Sequence, residues 1–75
     1  MNAQTELKPY DKIRTAKNAY KLIVESGRSI ESVALDIQAS DRLIYYWANG
    51  ERSPNIKHLY ALSQLFQVPI ESILG

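Results

Sequence analysis

Seventy-five residues suffice for one small domain with one core, and leave no room for a deep enclosed active site as well. The hydrophobic and charged shares, 45% and 23%, are those of an ordinary globular domain, and the absence of cysteine removes disulfide frameworks and thiolate metal sites. A net charge of +1 is far from the strongly basic total that pulls a protein onto polyanions by bulk charge alone, although a near-neutral sum can hide an uneven distribution. The polar start, Met1 to Lys8, reads against a signal peptide, and no apolar run approaches the length of a membrane span. With no cysteine to oxidise, a cytoplasmic protein without a membrane partner is expected.

Residues 1–14 are expected to form a flexible arm, and 15–75 the folded domain. Tyr10 to Arg14 stays open between arm and early helix. Thr15 is a candidate cap for a helix from Ala16 to Ser26, with Ala16, Ala19, Tyr20, Ile23 and Val24 forming an inward stripe and Gly27 ending it. Ser29 caps a second, short helix that ends near Gln38, with Ile30, Val33, Ala34 and Ile37 inward and Glu31 placing negative charge in the first turn. After the tight connection Gln38-Ala39, Ser40 and Asp41 are both plausible caps for a third helix. Leu43 or Ile44, with Trp47, would face inward, and Asn49-Gly50 would stop it. A loop, Glu51 to Pro54, leads to Asn55, the cap of a fourth helix from Ile56 to Phe66 with Leu59, Leu62, Leu65 and Phe66 inward. Pro69 suits the first position of a short fifth helix ending near Leu74. No stretch alternates as a strand does, so the expected fold is all-α, a compact four- to five-helix bundle.

Two short helices joined by a very tight turn make a helix-turn-helix when they cross steeply. The crossing needs a small side chain on the first helix, which Ala34 supplies. The second helix needs apolar anchors that leave its other face outward, which Ile44 and Trp47 supply, with Ala39 filling the turn. The outward set is then Asp41, Arg42, Tyr45, Tyr46 and Asn49. Arginine can donate twice to guanine and aspartate can accept from cytosine. Tyrosine can reach a phosphate through its hydroxyl or a thymine methyl through its ring, and Asn49 can reach a phosphate. The competing reading is that one of Tyr45 and Tyr46 packs in the core.

The ordered set Ser29-Ile30-Glu31-Ser32-Val33-Ala34, Ser40 to Trp47, Asn49 to Pro54 and Leu59 to Ile70 resembles the Cro/C1-type (Xre-like) helix-turn-helix family of phage repressors and bacterial regulators. The resemblance implies a phage-repressor-like five-helix DNA-binding domain. It assigns base contacts to Ser40, Asp41, Arg42, Tyr45 and Tyr46. It assigns phosphate contacts to Ser29, Asn49, Arg52, Asn55 and Lys57, helix starts being natural phosphate sites. Four positions depart from the family pattern. Gln38 stands where the turn usually has glycine, at some backbone cost. Ile30 stands where a polar phosphate contact is usual. Ala48 and Ile23 replace a glutamate and arginine that commonly pair; exchanging both members of a buried pair for apolar groups is often neutral.

The remaining signals are smaller. His58, the sole histidine, makes no metal site without cysteine or a second histidine, and is expected to face solvent or a phosphate. Trp47 reads as core rather than as a stacking platform. Lys8, Lys12, Arg14, Lys17 and Lys21 read as a solvated basic face, or as an arm that touches DNA. No phosphate loop or nucleophile motif is present, so no enzyme, cofactor or small-molecule substrate is expected. The expected function is sequence-specific binding of double-stranded DNA by a transcriptional repressor. It would read the major groove with its third helix, as a homodimer on two half-sites. The alternative is a protein-interaction module, such as an antitoxin, on the same fold.

Overall fold

The computed structural model describes residues 10–75. Four α-helices follow one another, α1 (Lys12–Glu25), α2 (Ile30–Ile37), α3 (Asp41–Asn49) and α4 (Ile56–Phe66), with a single 3-10 turn at Ile70–Ser72 and no strand among the described residues. The all-α reading therefore holds, and the part of the expected arm at residues 1–9 lies outside the described residues.

The first helix starts earlier than its apolar stripe suggests. Asp11 is the cap, its carboxylate accepting the Ile13 and Arg14 N–H groups at 3.1 Å each. Lys12 to Arg14 thus belong to α1. Thr15, expected as the cap, is instead fully buried. Its hydroxyl donates to the Asp11 carbonyl at 2.8 Å and accepts the Gly75 N–H at 2.8 Å. A threonine inside a helix can bond back one turn in this way, so a cap-like residue was serving as a clasp. The Asp11 N–H donates to the Gly75 carbonyl at 3.3 Å, and the Asn18 side chain donates to the Ile73 carbonyl at 3.0 Å, so the tail lies along α1. The expected short fifth helix is a single 3-10 turn. Pro69 is extended (φ −69°, ψ 147°) and stands before that turn instead of in its first position.

One core joins all the elements. Ala16, Ala19 and Ile23 come from α1, Val33, Ala34 and Ile37 from α2, Ile44 and Trp47 from α3, Leu59 and Leu62 from α4, and Ile73 from the tail. Val24, placed on the inward stripe by its spacing, is half exposed at the end of α1. Leu65, Phe66, Tyr20 and Ile30 are packed against the core without being fully covered. Trp47 is its largest fully buried side chain, and truncating such an indole to alanine costs about 3–5 kcal/mol.

Both ends of α3 are fixed from outside the helix. Gln38 ends α2 in the left-handed region (φ 59°, ψ 47°), so the tight turn forms without glycine, as expected, at the cost of an unfavourable backbone conformation. At the other end Gly50 is also left-handed (φ 72°), and a Cβ there would lie 2.9 Å from Ile13 Cγ2. The end of α3 abuts the start of α1, in a contact only glycine permits without displacement.

Candidate nucleic-acid interface

The turn before α3 is pinned by backbone hydrogen bonds. The Ala39 N–H donates to the Ala34 carbonyl at 2.9 Å, closing the left-handed end of α2. Ser40 then caps α3, its hydroxyl oxygen accepting the Leu43 N–H at 3.0 Å. Between Ser40 and Asp41, the two residues the sequence left open for this role, the serine performs it. Ile44 and Trp47 are both fully buried and set the rotation of the helix.

At about 100° per residue, the side of α3 opposite Ile44 and Trp47 carries Arg42 and Asn49, flanked by Tyr45 and Tyr46, with Asp41 at the margin. Arg42, Asp41 and Asn49 are exposed, Tyr45 is half exposed, and Tyr46 is partly covered. Neither tyrosine is part of the fully buried core. The cover over Tyr46 is Arg52, whose guanidinium carbon stands 5.2 Å from the ring centroid, a cation–π stack. Ser40, Arg42, Leu43, Tyr46 and Arg52 line one open cleft of about 370 Å³. Two arginines, one from the first turn of α3 and one from the loop after it, therefore share a cleft with Tyr46. Among the described residues neither arginine has an ion-pair partner, so both charges are available to an anion.

The two helix starts assigned to phosphate differ. At α2, the Ser29 hydroxyl accepts the Ser32 N–H at 3.1 Å, and Glu31 adds an anion to the first turn. The neighbouring Arg28 bonds the Ser32 hydroxyl and pairs with Asp36 at 2.6 Å, so its charge is spent within the domain. At α4, Asn55 accepts the His58 N–H at 2.9 Å, the first turn has no acid, and Lys57 is exposed. The earliest N–H groups of a helix have no partner within it and carry its positive dipole end. The start of α4 is thus the more favourable anion site of the two. Local sequence carries no sign that Arg28 is neutralised, since its partner lies eight residues on.

His58 departs from expectation. It is half-buried, and its ring meets Trp47 edge-on with centroids 5.6 Å apart and planes at 60°. Burial lowers its pKa below the ordinary value; the Gln38 backbone pulls upward and the Lys57 charge adds to the lowering. Asp36, Gln38, Asn55 and Lys57 line a second cleft with His58, about 270 Å³. The described residues contain no group of His, Asp and Glu able to hold a metal ion, and no helix among them is long and apolar enough to cross a membrane.

A family model described as helix-turn-helix, of the Cro/C1 type, matches residues 20–73, from the middle of α1 to the tail. No curated protein and no solved structure matches the chain.

Proposed function

This chain belongs to the Cro/C1-type helix-turn-helix family, a DNA-binding family, and we propose that it is a sequence-specific transcriptional repressor of the cytoplasm that reads the major groove with α3. The observation that carries this reading is the division of α3. Ile44 and Trp47 lock one side, and Arg42, Tyr45, Tyr46 and Asn49 are left on the other, with Ser40 and Asp41 at its leading end. Arg42 suits a guanine edge, Asp41 the amino group of cytosine, and the tyrosines thymine methyls or phosphates. Ser40 keeps a hydroxyl proton to donate after its oxygen has capped the helix. Arg52, stacked on Tyr46, and Lys57 with Asn55 at the start of α4 suit phosphates on either side. Asn49 extends that set, and Ser29 is its weaker member because Glu31 stands beside it.

One α3 reaches few base pairs. A homodimer would place two copies of α3 on half-sites about 34–36 Å apart, one turn of the duplex. With a net charge of only +1, nonspecific attraction is weak, so discrimination rests on these few side chains. No enzymatic step or cofactor enters this reading. Selection of bound sequences from random duplex DNA tests it: a recurring motif with two half-sites is expected, and its affinity should fall steeply with salt. A second reading, a protein-interaction module such as an antitoxin, draws on the exposed Leu35 and Ile56, which are 80% and 68% accessible. Absence of DNA binding at low salt would favour it over the first.

A further inference from the structure

Trp47 holds α3 in place, and its Nε1 is a buried donor with no hydrogen-bond partner among the described residues. The ring it meets, His58 on α4, carries the other such atom, a buried Nδ1. A neutral imidazole protonated on Nε2 offers Nδ1 as an acceptor, so an indole N–H donor and an imidazole acceptor lie on touching rings. A proton on Nδ1 would leave two unpaired donors on touching rings, both atoms out of contact with solvent, and add a positive charge to a half-buried ring. We propose that His58 is a proton-sensitive prop for the reading helix: neutral, it supports the buried Trp47; protonated, it loosens α3 and weakens DNA binding. The second half rests on the proposed function, the first does not.

The surrounding charges do not rescue the protonated form. From α2, the Asp36 carboxylate lines the same cleft, but Arg28 holds it at 2.6 Å. From α4 itself, Lys57 adds like charge. From α3 the facing group is the Trp47 indole, which carries no charge. The turn after α2 offers the backbone of Gln38, which favours the proton, yet burial outweighs it. The folded pKa therefore lies below the unfolded value. Between the two the unfolded chain holds the extra proton, so stability is full above the unfolded pKa and declines as pH falls through the window beneath it.

The chain has one histidine and one tryptophan, so imidazole NMR and indole fluorescence each report a single residue of the intact protein. His58 is expected to titrate below about 6.5, the ordinary histidine value. Trp47 emission should change with the same midpoint, because an imidazolium ion quenches an adjacent indole. The thermal midpoint should fall over that window, and both His58→Phe and His58→Gln should flatten the slope. DNA affinity of the unsubstituted chain should drop between about pH 7.5 and 5.5, a span around the ordinary value, more than in either variant. A His58 midpoint at or above the ordinary value, an emission that ignores it, or a stability slope surviving in both variants overturns the proposal. An equal affinity drop in all three proteins overturns its second half. Failure to bind DNA at any pH would remove the proposed function, while the titration, emission and stability of the free protein still decide the Trp47–His58 coupling.

Discussion

Gly27 and Gly50 both sit in the left-handed region, at φ +81° and +72°, but their surroundings differ. Nothing lies within 4 Å of a Cβ built at position 27, whereas one at position 50 meets Ile13 Cγ2 at 2.9 Å. Alanine at 27 should therefore cost only the left-handed backbone, about 1–2 kcal/mol. Alanine at 50 carries the same cost plus an overpacked contact. Overpacking runs to about 1–3 kcal/mol, and Ile13 is 53% exposed and free to shift, so the lower end, about 1 kcal/mol, applies. In a domain of this size 1 kcal/mol moves the thermal midpoint by about 4–8 °C, a gap that circular dichroism resolves easily. Gly50→Ala should thus melt below Gly27→Ala by about that gap, and the gap should close when both are made in an Ile13→Ala background. Equal losses for the two glycines, or a gap that persists without the Ile13 side chain, would refute the close approach of α1 to the end of α3.

Gln38→Gly should stabilise the domain by about 0.5–1 kcal/mol, because glycine occupies the left-handed region freely while glutamine does not. Urea unfolding measures it, and a loss would show that the Gln38 side chain contributes something its backbone cost conceals. Thr15→Val keeps the shape and removes the hydroxyl, which leaves the Gly75 N–H without its acceptor. A loss of about 1–3 kcal/mol by the same assay is expected, and a neutral result would mean that the tail does not clasp α1 in solution.

Much of the fold was legible because side-chain chemistry and spacing agreed. Ser29, Ser40 and Asn55 stand before periodic apolar stripes and cap their helices, and Asn49-Gly50 stops α3 where its backbone must turn left-handed. Thr15 misled because threonine serves equally as a cap and as a buried residue bonded back one turn. Only the tail at Gly75, sixty residues away, decides between them. Val24 has helical spacing, yet at the end of α1 no element covers it. His58 could not be placed from its neighbours in sequence, since the ring that buries it belongs to α3. The same holds for the interface. Helical periodicity alone sorts Ile44 and Trp47 from Arg42 and Tyr45. The stack of Arg52 on Tyr46 and the pairing of Arg28 with Asp36 depend on how the loop after α3 and the end of α2 fold back. Ile44 and Trp47 divide α3 cleanly because both are wholly buried.

Comparison of Arg42→Ala with Lys57→Ala, on a selected site and on random duplex, tests most directly whether α3 reads base sequence. Arg42→Ala should lower discrimination between the two DNAs by about 1–3 kcal/mol, the worth of a bidentate contact to guanine. Lys57→Ala should weaken both about equally and reduce the salt slope by about one. If Arg42→Ala instead weakens both DNAs equally, or if the unsubstituted chain prefers no sequence at all, α3 is not a reading helix.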